Sequence, residues 1–143
     1  MDYINHMSKI MKLYEYKLLP VMQKYDLLKI EIDVLLFLNN NPQYDKAKDI
    51  VEKRGIAKSH VSKAIDLLYK KGYLDIQVDQ KDKRINHLII LEQAKPIIHD
   101  GLACQKNFYD VFFKNMTEEE MTVLKIIFKK MNDNVREELR CMH

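Results

Sequence analysis

The sequence predicts a mostly α-helical protein with a small β-wing, and three observations support this fold class. Only three glycines and three prolines occur among 143 residues, which favours helices over loops. Two runs with helical spacing, Lys46–Arg54 and Lys58–Lys71, are separated by the turn Gly55-Ile56-Ala57. Two strand-like runs then flank the charged tip Asp79–Arg84. Helix, tight turn, helix and β-ribbon is the layout of a winged helix-turn-helix, here flanked by long helices.

Two helices are predicted ahead of this layout. Apolar residues recur at helical spacing from Tyr3 to about Tyr25, and Pro20 should kink this helix or start a new turn. A second helix, about Lys29 to Asn39, should end at the breaker Asn39-Asn40-Asn41-Pro42. Asp45 is suited to cap the short helix that follows.

The helix after the turn should present polar side chains on its outer face. Gly55 permits the left-handed backbone that ends a helix, so the chain can turn sharply there. Apolar residues at helical spacing predict one small core: Ile50, Val51, Ile56, Val61, Ile65 and Leu68. That core leaves five polar residues outward, near the helix's N-terminal end: Lys58, Ser59, His60, Ser62 and Lys63. In helix-turn-helix proteins this end meets the major groove, where donors and cations suit base edges and phosphates.

The β-ribbon and two further helices complete the predicted fold. Leu74, Ile76 and Val78 alternate with polar residues, which predicts a half-buried strand, and the return strand should run from Asn86 to Leu91. A long helix is expected from Gln93 to Asn115, with Pro96 in or near its first turn. Gly101 within that helix is expected to be a kink or a close-contact point.

The last helix should start at the capping box Thr117-Glu118-Glu119-Glu120 and run to about Arg140. We expect it to bury one stripe of residues: Met121, Leu124, Ile127, Phe128, Met131 and Val135. The terminal helices together carry more apolar surface than a small winged module can cover. The residues expected to need a partner are Met7, Met11, Ile97, Phe108, Phe112, Phe113, Ile127 and Phe128. The simplest hypothesis is a homodimer with a two-fold axis, which would hold two recognition helices about one DNA turn apart on a pseudo-palindromic site.

The winged segment resembles the MarR family of bacterial transcription regulators. The matching stretches are Ala47–Val51, Gly55–Lys63, Leu67–Leu74 and the wing tip Asp82-Lys83-Arg84, which fits the family's Asp-x-Arg signature. The family also has long helices on both sides of this module, so the likeness covers nearly the whole chain. It implies a single subunit, 1–143, with a DNA-binding module at 28–91 and dimerisation helices at 1–27 and 92–143.

The resemblance also implies roles for residues of the wing. Arg84 would enter the minor groove, where negative potential is concentrated, and Asp82 would hold its guanidinium in place. Lys81 and Lys83 would add phosphate contacts. Ala57 departs from the family pattern, which often has Ser there, so Ser59 or water must cap the recognition helix or its first turn frays.

The resemblance further implies a small, often aromatic, effector between the dimerisation helices and the module. Met11, Tyr14 and Tyr16 are candidates to line such a cleft.

Each of the residues assigned to DNA binding has a plainer alternative. The lysines can be ordinary solvated side chains, Ser59 and Ser62 helix caps, His60 a surface histidine, and Asp82 with Arg84 a surface salt bridge.

Charge and composition favour the nucleic-acid interpretation and an intracellular setting. Residues 46–95 contain twelve Lys and Arg against seven Asp and Glu, so the basic excess of the chain is concentrated in the winged module. The N-terminus lacks the apolar run of a signal peptide, and no apolar stretch approaches membrane-spanning length. Cys104 and Cys141 are too few for a disulfide framework. We therefore expect a cytoplasmic protein without a membrane partner.

Metal, redox and catalytic functions find little support in the sequence. The five histidines form no pair at ligand spacing on one helix face, and Cys141 with His143 lies at the terminus. Cys104 lies beside apolar residues, as an inert core thiol does. The chain has no glycine-rich phosphate loop or recognisable catalytic set, so no cofactor and no enzymatic activity are expected.

The expected function is a homodimeric, sequence-specific DNA-binding transcription regulator, a repressor that a ligand can relieve. Two alternatives remain at this point. One is a winged-helix protein-interaction module that does not bind DNA, and the other is a small helical enzyme that uses the interhelical cleft. An enzyme would require a cluster of titratable groups with shifted pKa values in that cleft.

Overall fold

Six α-helices and one two-stranded antiparallel sheet occur in residues 1–142, the part of the chain that this computed structural model describes. A short 3₁₀ turn, Glu92–Ala94, precedes the fifth helix. The elements are α1 (Tyr3–Tyr25), α2 (Lys29–Asn40), α3 (Ala47–Arg54), α4 (Lys58–Lys70), β1 (Leu74–Val78), β2 (Asn86–Ile90), α5 (Lys95–Phe112) and α6 (Glu118–Cys141). The predicted fold class, mostly helical with a small β-wing, is confirmed.

The first helix follows the predicted bounds. The Asp2 carboxylate accepts a hydrogen bond from the Asn5 amide at 3.1 Å and caps its N-terminus. Pro20 lies inside a single continuous helix, so it starts no separate one. Asp26 ends the helix in a left-handed conformation, with φ of 52°. Of the apolar residues at helical spacing, Tyr14, Leu18 and Val21 are buried, whereas Tyr3, Met7 and Met11 are exposed.

Helix α2 lies at the centre of the larger of two compact units, Met1–Phe108. All eight side chains from Glu31 to Leu38 are buried, so this helix is covered on every face. Gly101 of α5 packs directly against it, because a Cβ at that position would lie 3.0 Å from a methyl carbon of Leu36. The close-contact alternative predicted for Gly101 is therefore correct.

Two buried carboxylates on α2 hold α3 and α4 against the core. Glu31 is paired with the Lys71 ammonium, whose Nζ lies 2.9 Å from Oε2 at the C-terminal end of α4. Asp33 is paired with Lys29 at 2.7 Å and with Arg54, at the end of α3, at 3.5 Å. Buried charges are tolerated only when paired, so these contacts fix α3 and α4 on α2. No local sequence pattern predicts these contacts.

The turn between α3 and α4 has the predicted geometry. Gly55 ends α3 with φ of +64°, and Gly72, with φ of +81°, follows the end of α4. The predicted small core forms, since Ile50, Val61, Ile65 and Leu68 are buried. Val51 and Ile56 are partly buried against it.

The predicted capping role of Asp45 is wrong. Lys46 is the N-cap residue of α3, and the Asp49 carboxylate accepts its backbone N–H at 3.2 Å. The Asp45 carboxylate contacts His87 of β2 instead.

The β-ribbon pairs Leu74 with Ile90 at its base and Val78 with Asn86 at its tip. Leu74 is buried and Ile76 half-buried, but the side chain of Val78 is exposed. The predicted alternation therefore holds only at the base, because the tip extends beyond the core. Exposure of the tip leaves the charged residues of the turn accessible.

The second compact unit begins at Tyr109 and contains α6. The Thr117 hydroxyl accepts from the Glu120 amide at 3.1 Å and the Glu120 carboxylate accepts from the Thr117 amide at 2.9 Å, which confirms the capping box. The predicted burial of the α6 stripe is wrong for one copy of the chain. No residue of α6 is buried; Ile127, Phe128, Met131 and Val135 are exposed, and Met121 and Leu124 are half-buried.

Two other residues expected to need a partner are covered within the subunit. Ile97 and Phe108 of α5 are 1% and 6% exposed, so the single chain already buries them. The expectation that they would need a second copy is therefore wrong. No helix in the described part of the chain is long and apolar enough to span a bilayer.

Candidate nucleic-acid interface

Helix α4 presents all five predicted polar residues to solvent. Its inner face buries Val61, Ala64, Ile65 and Leu68. The predicted residues Lys58, Ser59, His60, Ser62 and Lys63 are exposed on the other positions. The structure therefore brings these side chains together on one accessible helix end.

The N-terminus of α4 has backbone amides free to bind an anion. Ala57 is the N-cap residue and offers no side-chain hydrogen bond. Within residues 1–142, the Ser59 hydroxyl makes no capping hydrogen bond either, so that predicted alternative is not realised. The first intrahelical donors are the His60 and Val61 amides, each 3.1 Å from the Ala57 carbonyl. The earlier amides stay open at the positive end of the helix dipole, which suits a phosphate oxygen.

At the wing tip, Asp82 holds the Arg84 guanidinium through two parallel hydrogen bonds. Arg84 Nε donates to Oδ1 at 3.1 Å and Nη2 donates to Oδ2 at 3.0 Å, while the Arg84 amide also donates to Oδ1 at 3.0 Å. These hydrogen bonds lower the pKa of Asp82 and raise the pKa of Arg84. The Arg84 side chain is nevertheless 90% exposed. The result is a cation of fixed orientation that is open to solvent.

The turn that carries this pair is closed by Asp79. Its Oδ2 accepts from the amides of Lys81 and Asp82, both at 2.9 Å. The Asp79 amide donates to the Ile85 carbonyl at 2.8 Å, and the Ile85 amide donates to the Asp82 carbonyl at 3.0 Å. The hydrogen bond from His87, followed by those from the two amides, lowers the pKa of Asp79 to about 2.

His87 connects the wing to the segment ahead of α3. Its Nε2 lies 2.8 Å from Asp79 Oδ1, and its Nδ1 lies 2.9 Å from Asp45 Oδ2. The Leu88 amide also donates to the Asp45 carbonyl at 2.8 Å. Sequence reasoning missed this bridge because its members are separated by 42 and 8 positions. The available signal was a lone histidine directly before the apolar residues of the return strand.

The remaining cations of the wing, Lys81 and Lys83, are exposed beside Arg84. The ribbon also lies next to α4. Ser62 of that helix lines a surface groove together with Ile76 and Asn86 of the two strands. The open helix end and the basic wing tip thus belong to one module.

The three candidate effector-binding residues lie in different environments on α1. Tyr14 is buried; its ring meets Phe108 edge-on at 5.3 Å between centroids, and its hydroxyl accepts from Gln105 Nε2 at 2.9 Å. Met11 is 49% exposed and Tyr16 is 57% exposed. An effector site at these residues stays a prediction.

The cysteines and histidines show no assembled reactive or metal site in the described region. Cys104 is half-buried, and burial raises the pKa of its thiol, which disfavours the reactive thiolate. No group of three or more potential metal ligands occurs among residues 1–142. Of the pair Cys141 and His143 considered above, His143 lies outside the described residues.

The winged module resembles a known protein family. Residues 25–85 match the sequence model of the MarR family. The matched segment runs from the end of α1 to the wing tip, so this part of the chain is similar to the MarR family. No curated protein sequence matches it significantly.

Solved structures of MarR proteins match nearly the whole chain. One from Listeria monocytogenes, complexed with 26mer DNA, has 20% sequence identity and a TM-score of 0.86, covering 96% of this chain and 91% of that one. A MarR protein from Peptoclostridium difficile has 22% identity and a TM-score of 0.83, covering 96% and 90%. One from Silicibacter pomeroyi has 19% identity and a TM-score of 0.81, covering 94% and 90%. At these identities the matches establish the MarR fold.

Proposed function

We propose that this chain is a MarR-family, sequence-specific DNA-binding transcription regulator that acts as a homodimer. The observation that carries the proposal is the Asp82–Arg84 pair, a guanidinium of fixed orientation that is 90% exposed at the wing tip. A plain surface salt bridge has little reason to be this exposed and this constrained at once, since such pairs contribute little to stability. The guanidinium N–H groups of Arg84 that do not contact Asp82 remain available to bind a ligand.

The proposed mechanism uses both parts of the module. The N-terminal end of α4 enters the major groove, where Ser59, Ser62 and His60 can reach base edges and Lys58 and Lys63 can reach base edges or phosphates. Arg84 enters the adjacent minor groove, and its fixed fork reduces the entropy lost on binding. The open amides at the start of α4 add a site for a backbone phosphate.

Two lysines of the wing and one related structure support DNA as the ligand. Lys81 and Lys83 flank the inserted arginine and are free to contact phosphates on either side of the groove. The relative from Listeria monocytogenes is complexed with DNA, which supports a duplex as the ligand class. The proposed mechanism requires no catalytic group and no cofactor, so we propose a regulator without enzymatic activity, acting in the cytoplasm.

A second copy of the chain is the proposed partner for the uncovered apolar surfaces. Helix α6 exposes one side chain after another along its stripe, including Ile127, Phe128 and Met131. The N-terminal part of α1 exposes Ile4 and Met7. An exposed apolar face on a helix marks an interaction site, and a two-fold dimer would bury both sets of side chains in each subunit. It would also present two recognition helices to a pseudo-palindromic operator.

Regulation by a small molecule is the finest part of the proposal. A repressor that is relieved by ligand requires an effector with different affinities for the DNA-competent and DNA-incompetent spacings of the dimer. Met11, Tyr14 and Tyr16 remain the proposed effector residues. An aromatic compound that lowers DNA affinity in wild type but not in a Tyr14→Phe or Met11→Ala variant would support this assignment.

The test of DNA binding is fluorescence anisotropy with duplexes from the DNA upstream of the protein's own coding region. Wild type is compared with Arg84→Ala, Arg84→Lys and Lys129→Ala, an exposed cation on α6 that serves as the control. Arg84→Ala should weaken binding by on the order of 1–3 kcal/mol. Arg84→Lys should recover only part of that loss, because a lysine keeps the charge but lacks the fork.

The salt dependence separates the competing outcomes. Wild-type affinity should fall steeply with salt concentration as phosphates are contacted. Specific binding that is unaffected by Arg84→Ala would contradict the wing mechanism while retaining the regulator. Absence of binding to these duplexes and to random duplex at low salt would favour the alternative, a winged-helix protein-interaction module.

A further inference from the structure

We propose that His87 is a positioning residue of the wing, which holds Asp79, and through it the Arg84 guanidinium, only while its ring is protonated. The proposal rests on the function proposed above, because it concerns how the wing is presented to DNA. It assigns a role to three side chains that contact no DNA in the proposed mechanism: Asp45, His87 and Asp79.

A continuous path of hydrogen bonds joins the histidine to the arginine. His87 Nε2 contacts one carboxylate oxygen of Asp79 at 2.8 Å. The other oxygen of Asp79 accepts the amides of Lys81 and Asp82 at 2.9 Å, which sets the backbone of the turn. The side chain of Asp82 then fixes the guanidinium of Arg84. Loss of the first contact therefore loosens the residue on which the turn is built.

The opposite side of the ring is anchored outside the wing. His87 Nδ1 lies 2.9 Å from Asp45 Oδ2, and Asp45 immediately precedes the N-cap of α3. The adjacent backbone bond, from the Leu88 amide to the Asp45 carbonyl, holds that segment beside β2. The histidine thus links the ribbon tip to the helix-turn-helix, so the two proposed DNA-contacting parts keep a fixed relation.

The geometry of the bridge requires the imidazolium. A neutral imidazole carries one N–H and can donate to one carboxylate, while its second nitrogen would face the lone pairs of the other. The charged ring donates to both. In agreement, the hydrogen bonds to Asp79 and then Asp45 raise the pKa of His87 above its usual value of 6.5. The two carboxylates are the charged groups that face the ring, since Gln77, opposite His87 in the ribbon, is neutral.

The direction of the pH effect follows from the raised pKa of His87. A histidine whose pKa is raised in the folded protein contributes fully at pH values below 6.5, and its contribution is lost as pH rises through the raised value. The ribbon tip should therefore be held at pH values below 6.5 and loosen as the pH rises through the raised pKa of His87. Asp79, with its pKa lowered to about 2, stays ionised throughout.

Nuclear magnetic resonance of the DNA-free protein tests the bridge itself. The His87 ring should titrate above the histidine reference value. Exchange of the Lys81 and Asp82 amides, corrected for the intrinsic effect of pH, should accelerate over the same range. In Asp45→Asn, a neutral ring can donate to Asp79 and accept from the new amide, so the His87 titration should move down and the two amides should stay protected. A His87 titration at or below the reference value would overturn the proposal.

The consequence for DNA is measured in a His60→Gln background, because His60 on α4 is the other histidine of the interface. Between about pH 6 and about pH 8.5 the parent should lose on the order of two- to tenfold in affinity, the equivalent of one hydrogen bond. His87→Gln should be weak and pH-independent. The DNA affinity of Asp45→Asn should also be independent of pH, but it should not be lower than that of the parent. A substitution that merely destabilised the protein could not produce this combination.

A double-mutant comparison checks that the effect passes through Arg84. In an Arg84→Ala background, His87→Gln should change affinity no further. An equal loss in both backgrounds would overturn the positioning role. If the parent protein binds no DNA, the proposed function fails, and the titration and amide exchange still decide whether the protonated bridge exists. If the bridge exists but affinity does not follow it, the positioning role is wrong and the regulator stands.

Discussion

The contact between Lys71 and Glu31 predicts a large loss of stability on a single substitution. Lys71 Nζ reaches both carboxylate oxygens of Glu31, at 3.2 and 2.9 Å, and the Asp26 carbonyl at 3.2 Å. The Glu31 side chain is only 1% exposed, and its other partner is the Leu28 amide at 3.0 Å. Lys71→Ala therefore leaves a buried carboxylate with one backbone donor.

The magnitude follows from how buried the pair is. Removing one partner of a fully buried ion pair costs about 3–5 kcal/mol. Lys71 itself is 35% exposed, so water can enter the vacated space and solvate part of the remaining charge. We therefore expect a loss of about 2–3 kcal/mol in the free energy of unfolding. The assay is urea denaturation followed by circular dichroism, at one protein concentration for all variants, because dimerisation would make stability concentration-dependent.

The neighbouring residue provides a matched control. Lys70 also pairs with an acid, Asp66, at 2.9 Å, but both side chains are mostly exposed, at 68% and 59%. Lys70→Ala should cost less than about 0.5 kcal/mol. Adding Glu31→Gln to Lys71→Ala should restore part of the loss, since it removes the uncompensated charge. Equal losses for the two lysine variants would refute the reasoning that burial decides the worth of these pairs.

Three further substitutions test particular elements by the same assay. Gly55→Ala should lose about 1 kcal/mol, because φ of +64° disfavours any residue with a Cβ even though nothing else lies within 4 Å; an unchanged midpoint would contradict this. Gly101→Val should lose about 1–3 kcal/mol by forcing Leu36 from its place, whereas a stabilised variant would show that α5 and α2 have room between them. Thr117→Ala should lose about 1 kcal/mol through the capping box of α6, and Thr122→Ala, on the same helix, serves as its control.

Local patterns in the sequence predicted the elements with good accuracy. The left-handed position Gly55, the Thr117 capping box and the breaker after α2 each depend on a few adjacent residues. Such signals act through backbone geometry, so the surrounding fold cannot easily change their outcome. The same is true of the Asp82–Arg84 pair, whose partners are two residues apart.

Contacts between distant parts of the chain could not be predicted from the sequence. Asp45 fits the usual pattern of a helix cap, yet its carboxylate bonds to His87, because the return strand brings an imidazole within 2.9 Å. Likewise, the charges of Glu31 and Asp33 fall in the centre of a helix that is covered on every face. Nothing near them in the sequence announces the cations that neutralise them.

The apolar stripe of α6 shows a different kind of error. Its spacing correctly indicates a face that avoids water, but periodicity does not say which chain provides the cover. Ile97 and Phe108 are expected to need a partner but are buried within the subunit, whereas Met131 and Val135 are expected to be buried but are exposed. To tell burial within one subunit from burial against a partner, one must know which helices of a single copy already pack against each other.

The most direct test of the proposed function is a nuclear magnetic resonance titration of the labelled protein with a duplex from its own upstream region. The account predicts that chemical shifts change at the Lys58–Lys63 amides and at the Arg84 side chain, and that these changes persist at moderate salt. Resonances of α6 should not shift, because we propose that this helix contacts the second subunit and not DNA. Shift changes confined to other helices, or none at DNA concentrations that saturate anisotropy, would contradict DNA recognition by α4 and the wing.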